Sequence, residues 1–295
     1  MLQQISKSAV NASGNVEGGT CPLLTPSGID FFEANGFLTL PILTTQTEVQ
    51  HLIALYDALF RDRAGWETGD HFDFANTGEA GVQPSIPQIL NPSRYEPRLR
   101  HTLFRENATL IARQLLGSSA TLVYEHAMLK PAGSAGVTPW HQDEAFYPKY
   151  TNYKSITFWM PLQAVDQSNG CLEFIPGSHL AALVPHHSID NDPRIPGLEA
   201  DHANRVAAVA CPLPAGGATI HHCRTLHTAG PNTSSDPRRA YCLAFGVRSR
   251  AHTVRTEHPW IKQKRTASAR RAADAQSALA RSASALKQVV KALLR

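Results

Sequence analysis

The sequence has no apolar run near the roughly 18–20 residues that a membrane span requires. Its five cysteines, an odd number, sit at positions 21, 171, 211, 223 and 242, and none forms a Cys-x-x-Cys pair. That excludes a zinc ribbon, suggests no disulfide framework, and fits a reducing, cytoplasmic compartment. Residues 1–14 lack the apolar stretch of a secretory signal, so no leader is expected. There is no internal repeat. Charged residues make up only 18% against 42% hydrophobic, which excludes a disordered or collagen-like chain. At 295 residues the chain can bury a core without needing a metal or disulfide to fold.

What charge there is falls unevenly. Residues 262–295 carry nine Lys or Arg against one acid, Asp274, a surplus of +8 in a chain whose net charge is +4. The remaining residues therefore sum to −4. A nucleic-acid surface would have to be the tail alone, so nucleic acid is not expected as a partner. Leu279, Leu286, Val290, Leu293 and Leu294 fall near a helical stripe there, and the plain reading is a helix docked on its own domain or a frayed tail.

Three segments are expected. Residues 1–24 are polar and Gly-rich and read as a flexible arm. Residues 25–260 read as one domain, and 261–295 as a basic helix or tail. Within the domain, Ile29, Phe31 and Phe32 precede a stop at Gly36, and Phe37–Leu40 reads as a short strand. Thr45-x-x-Glu48 resembles a capping box before a helical pattern from Val49 to Leu59. The stretch 64–83 is a long Gly- and Asn-rich loop with the character of a lid. Residues 96–117 look helical. From Thr121 the pattern turns to short apolar runs at 121–129, 155–163, 171–175, 206–210, 217–221 and 240–247, separated by Pro, Gly and Asn, as in an all-β sandwich or barrel.

The chemistry concentrates in that half. In a strand, His141 and Asp143 would point to one face and present an imidazole beside a carboxylate. His227, read as ending an apolar strand before Gly230-Pro231, lies 84 residues after Asp143, far enough for a later strand to return beside the first. Two His and one carboxylate form a facial triad that leaves three adjacent positions open on iron(II), whereas zinc favours a closed tetrahedral set. Arg238 opens the strand 240–247, and its fork matches a carboxylate; Arg239 reads as a surface charge. His221 and Cys223 share the strand phase of His227 but read as core, and His186-His187 as surface. His179 is read as a turn residue or a substrate contact, and Phe146 and Tyr147 as substrate contacts or rim packing. Gln88 and Asn91 are candidates to reach a bound small molecule from the N-terminal part.

His141-Gln142-Asp143, the run Gly170 to His179, and Leu226-His227-Thr228-Ala229-Gly230-Pro231-Asn232 followed by Arg238 together resemble the phytanoyl-CoA dioxygenase family of iron(II)/2-oxoglutarate-dependent oxygenases, over roughly residues 25–250. The resemblance implies a mainly β fold, a double-stranded β-helix (jelly roll, cupin-like) with outer α-helices. It implies Fe(II) bound by His141, Asp143 and His227, 2-oxoglutarate anchored by Arg238, and a cosubstrate pocket lined by Trp159 and Met128. It implies consumption of O2, release of succinate and CO2, and oxidation of a small-molecule substrate. The family often carries Ser two residues past the distal His; here Ala229 offers no hydroxyl. Related halogenases have Ala or Gly where Asp143 stands, so hydroxylation is favoured over halogenation. The alternative is a metal-binding cupin-like sensor or isomerase without turnover. A homodimer remains open as a partner.

Overall fold

Alternation along the strands builds the molecule. A computed structural model describes residues 23–79, 81–147, 154–201, 208–247 and 258–293, with side chains described as far as 283. Most of the expected N-terminal arm (residues 1–22), the start of the apolar run 206–210, and the side chains of Leu286, Val290, Leu293 and Leu294 lie outside the described residues. The strands are β1 (Phe37–Leu40), β2 (His71–Asp73), β3 (Pro87–Leu90), β4 (Thr121–Lys130), β5 (Thr138–His141), β6 (Lys154–Pro161), β7 (Leu172–Phe174), β8 (His186–Ser188), β9 (Leu198–Ala200), β10 (Val209–Cys211), β11 (Ala218–His222), β12 (His227–Ala229) and β13 (Arg238–Val247). The main helices are α1 (Pro26–Asn35), α2 (Gln46–Arg61) and α3 (Leu103–Leu116), then the short α4 (Pro259–Lys262) and the long α5 (Ala267–Leu293).

A seven-stranded sheet, in the order β1-β11-β6-β13-β4-β3-β2, packs against a four-stranded sheet, β10-β7-β12-β5, and every pairing is antiparallel. This is the expected jelly-roll architecture of a mainly β protein with outer helices. Successive residues of a strand face opposite ways. On β6, Ile156, Phe158 and Met160 join a core shared with the helices, whereas Trp159 faces the small sheet; on β13, Tyr241, Leu243 and Phe245 face outward, and Ala240 and Cys242 inward. The large sheet is thus apolar on one side against α1–α3 and lines the space between the sheets with the other.

Capping fixes the helices on that sheet. Thr45 accepts from Glu48 N at 3.1 Å, half of the expected capping box. The Glu48 carboxylate does not close the box. It accepts from Leu103 N at 2.6 Å and Phe104 N at 2.9 Å, so an acid of α2 caps the N-terminus of α3. The helix expected over 96–117 is interrupted: a 3-10 turn spans Pro97–His101, and Thr102 then caps α3 through Arg105 N at 3.2 Å.

The stretch 64–83 is not wholly loop. It contains β2, which pairs with β3 at the sheet edge. Asp73 ties it down by accepting from Ala75, Ser85 and Ile86 backbone N–H groups. Contacts on both sides of the expected boundary at residue 260 tie the chain to the domain. Trp260 Nε1 donates to Ala145 O at 2.9 Å. Lys264 Nζ reaches Ile195 O and Gly197 O, and Arg271 donates to Trp66 O and His71 O. The Trp66 ring lies 3.7 Å from the Arg63 guanidinium carbon and 3.9 Å from that of Arg271. Gly69, at φ +78°, permits this docking, because a Cβ there would lie 2.2 Å from Ser268 O. Among the described residues no helix is long and apolar enough to cross a membrane.

Deleting residues 262–295 should therefore destabilise the fold. Losing the Lys264 and Arg271 bonds and the cation–π contact costs roughly 1–3 kcal/mol, which lowers Tm by roughly 2–8 °C. An unchanged Tm in a calorimetric scan would show that the docked turns contribute nothing to stability.

Candidate active site

Two strands of the small sheet bring the histidines together. His141 closes β5 and His227 opens β12, and the two are directly paired in the antiparallel ladder. Their ring centroids are 4.1 Å apart. His227 does not end the apolar strand as expected: β11 stops at His222, the chain turns over 223–226, and a new strand begins. Nor do His141 and Asp143 share a strand. The ladder ends at His141, and Asp143 begins a 3-10 turn, Asp143–Phe146, which swings its carboxylate back toward the imidazoles. Ligand atoms of His141, Asp143 and His227 all lie within 4.8 Å of one another.

Gln142 fixes that exit. Its backbone N–H donates to His186 Nε2 at 3.2 Å, its Oε1 accepts from Val184 N at 3.0 Å, and its Nε2 donates to Arg224 O at 2.7 Å. His186 is therefore buried, not on the surface as expected, because β8 turns it inward to accept this bond. Glu144, next in the turn, takes a two-pronged bond from Arg224 at 2.8 and 3.0 Å.

The donor set suits a divalent first-row transition metal. His141 Nδ1 lies 2.8 Å from Pro139 O and His227 Nδ1 2.9 Å from Thr225 O. A carbonyl only accepts, so each Nδ1 carries the proton and each Nε2 presents a lone pair. These Nε2 atoms lie 3.8 and 3.5 Å from Asp143 Oδ1. Burial pushes both histidines down, keeping them neutral. Burial alone would raise Asp143, but the His221 hydrogen bond and the surrounding imidazoles outweigh it and hold the carboxyl well below its usual range.

The same cavity extends to Arg238, which is 3% exposed. Its Nε and Nη1 are buried without a partner, and its Cζ lies 5.3 Å from the Trp159 ring centroid. Burial, eased slightly by the Cys242 and Cys171 thiols, brings its guanidinium down to about 10. Lys130, paired with Arg238 across the strands, is also buried; its Nζ donates to Ala229 O at 3.0 Å and to Gly230 O. Burial, then the nearby Arg238, holds that amine well below its usual range.

Trp159 and Met128 line this cavity, as do Gln88, Ala229 and Cys242. Asn91, Phe146, Tyr147 and His179 are not among its lining residues. Asn91 begins a turn with its N–H on Glu125 O, Phe146 packs on Phe74 and the outer edge of His141, and Tyr147 Oη meets Ser155 Oγ at 2.9 Å. His179 Nε2 lies 3.0 Å from Glu33 O, beneath the end of α1. Arg239 pairs with Asp57 at 2.6 Å on the outside. Four further lining residues, Tyr124, His126, Thr157 and His221, carry no motif, and His221 reads as core from its local pattern. Strand parity is the signal that finds them, since Thr157 shares a face with Trp159, and Tyr124 and His126 share one with Met128.

A fold of this kind with such a site defines a class, the non-haem oxygenase jelly rolls. The model of the family described as Phytanoyl-CoA dioxygenase (PhyH) matches residues 32–240, and the chain belongs to that family. The solved structure of EvdO2 from Micromonospora carbonacea var. aurantiaca complexed with 2-oxoglutarate is 34% identical, with a TM-score of 0.70 over 82% of this chain and 98% of that one. A probable alpha-ketoglutarate-dependent hypophosphite dioxygenase of Stutzerimonas stutzeri is 28% identical over 55% of this chain. The peroxisomal phytanoyl-CoA dioxygenase of Rattus norvegicus is 25% identical over 73% of it. The matches span 57% and 66% of the length of those two curated relatives.

Buried imidazoles make stability pH-dependent. Burial brings His71, His126, His186 and His222 each to about 4. The unfolded chain, with histidines near 6.5, binds more protons between these values. Their depressed values therefore cost nothing above about pH 6.5, and stability falls as pH drops from there toward 4. Urea unfolding of the metal-free protein at pH 7.5 and 5 should show a lower midpoint at pH 5; equal midpoints would mean that these rings are not desolvated.

Proposed function

We propose that this chain is an iron(II)- and 2-oxoglutarate-dependent dioxygenase that hydroxylates, or otherwise oxidises, an unactivated C–H bond of a small organic molecule, with release of succinate and CO2. The observation that carries this reading is the Arg238 guanidinium, buried with idle donors in the cavity where His141, Asp143 and His227 converge. A buried cation with unsatisfied N–H groups is unfavourable until a partner completes it. A carboxylate fits that fork in charge and shape. The family membership and the 2-oxoglutarate in the EvdO2 structure support the same reading.

In this reading His141 Nε2, His227 Nε2 and Asp143 Oδ1 hold the iron, and Arg238 takes the distal carboxylate of 2-oxoglutarate. Iron, 2-oxoglutarate and O2 together supply the oxidising chemistry. The chain's own part is orientation and exclusion. The carbonyls of Pro139 and Thr225 aim the imidazoles, Trp159 flanks the guanidinium, and Phe74, Ile86 and Leu172 give the cavity dry walls. Lys130 closes the end beyond Arg238 by holding the backbone of Ala229 and Gly230. With Ala229 in place of a hydroxyl residue, the distal carboxylate depends more heavily on Arg238. The buried thiols Cys171, Cys211 and Cys242, outside any disulfide, suit a reducing, cytoplasmic setting.

Two outcomes are expected. With iron(II), ascorbate and 2-oxoglutarate, the protein should form succinate across a panel of small organic substrates, and His227→Ala should abolish this together with iron binding. Iron retention and full turnover in His227→Ala would overturn the ligand set, and iron binding without succinate formation would favour the sensor or isomerase reading. Arg238→Leu should raise the KM for 2-oxoglutarate while leaving iron affinity near wild type. Loss of a buried charge-assisted pair costs about 2–5 kcal/mol, so the increase should exceed about 30-fold. An unchanged KM would place the anchor elsewhere.

A further inference from the structure

The carboxylate of Asp143 is gripped on one oxygen only. Thr157 Oγ1 donates to Oδ2 at 2.7 Å, and His221 Nε2 lies 3.2 Å from the same atom. Oδ1 alone faces the Nε2 atoms of His141 and His227. The two donors are not independent. Thr157 on β6 and His221 on β11 are direct cross-strand partners, so the sheet register sets them side by side as a fork.

His221 is an unusual choice for its place. It is 2% exposed, and its ring lies 5.3 Å from that of Phe174 and 4.4 Å from that of His227. A phenyl ring would meet the packing without any polar group to satisfy. Because the carboxylate only accepts, Nε2 must carry the proton. Nδ1 is buried as well, and it has no partner. An imidazole at this position sacrifices one polar atom and gains one bond, and that bond is to the metal-facing carboxylate.

We propose that His221 is a positioning residue that, with Thr157, keeps Asp143 a one-oxygen metal ligand. The inference rests on the iron centre assigned above. A six-coordinate ion held by three protein atoms has three adjacent positions free. A 2-oxoglutarate chelate would take two and leave one for dioxygen. If Oδ2 turned onto the ion as well, that last position would close. With both donors on Oδ2, such a rotation breaks two hydrogen bonds within a buried site. The fork also explains why the aspartate tolerates burial as an anion.

The test compares His221→Phe and His221→Gln with the wild type and with His227→Ala. The glutamine amide nitrogen reaches about as far as Nε2 and can donate to Oδ2, whereas phenylalanine keeps only the ring. Anaerobic titration should show the Fe(II) Kd of His221→Phe weakened about 10- to 100-fold, the range typical of lost outer-shell partners. Its kcat for succinate should fall by a similar about 10- to 100-fold, while the KM for 2-oxoglutarate stays within about threefold, since Arg238 is untouched. His221→Gln should recover both Kd and kcat to within about threefold of wild type. If His221→Phe does not fold, His221→Met set against His221→Gln carries the same contrast. Wild-type values in a folded donor-less variant, or equal losses in the Gln and Phe variants, would overturn the positioning role. If His227→Ala also kept its iron, the centre itself would be misassigned; if only His227→Ala lost it, the centre stands and His221 alone is misread.

Discussion

The cross-strand pair of His141 and His227 is the constraint on which the site depends. Because side chains alternate along a strand, a register slip of one residue between β5 and β12 would turn one imidazole away from the cavity. The pairing is held on both sides of β12, by β7 and by β5, and Thr228 Oγ1 reinforces it by donating to Thr138 O at 2.6 Å. Asp143 completes the set only because the chain leaves the ladder after His141. Gln142, with three bonds to other segments, makes that exit a fixed corner.

Electrostatics then divide the cavity into two ends. At one, imidazoles surround the carboxylate of Asp143. At the other, Arg238 is a buried guanidinium with idle donors. Lys130 beside it is held low by burial, and its amine donates to the carbonyls of Ala229 and Gly230. An iron(II) ion would sit beside Asp143 and the distal carboxylate of 2-oxoglutarate beside Arg238, so that each charge would meet its opposite. Either component alone would leave a buried charge uncompensated.

Much of this is legible in the sequence, for definite reasons. The apolar runs that form β4, β6, β11 and β13 are long enough for their composition to declare them. The triad and Arg238 stand out because His141-x-Asp143, His227 just before Gly230-Pro231 and an Arg eleven residues after His227 follow a recognisable family pattern. Other features leave little trace. β2, β8 and β9 are three residues long, and tertiary pairing rather than propensity makes them strands. The end of β5 at His141 depends on partners of Gln142 that lie 42 to 82 residues away. Local context assigns His186 to the surface and His221 to the core, yet each makes a directional bond that only the folded chain supplies. The docking of Arg271 on Trp66, 205 residues earlier, is equally invisible to a local pattern.

The central claim is that one iron sits on Nε2 of His141, Nε2 of His227 and Oδ1 of Asp143, with 2-oxoglutarate reaching to Arg238. The most direct measurement is an anaerobic crystal structure with iron(II) and 2-oxoglutarate, with diffraction recorded at the iron absorption edge. The expected result is a single anomalous peak within bonding distance of those three atoms, Asp143 Oδ2 still on Thr157 and His221, and the distal carboxylate on Nε and Nη1 of Arg238. An anomalous peak away from these ligands, or a carboxylate bound elsewhere with Arg238 still unpartnered, would contradict it.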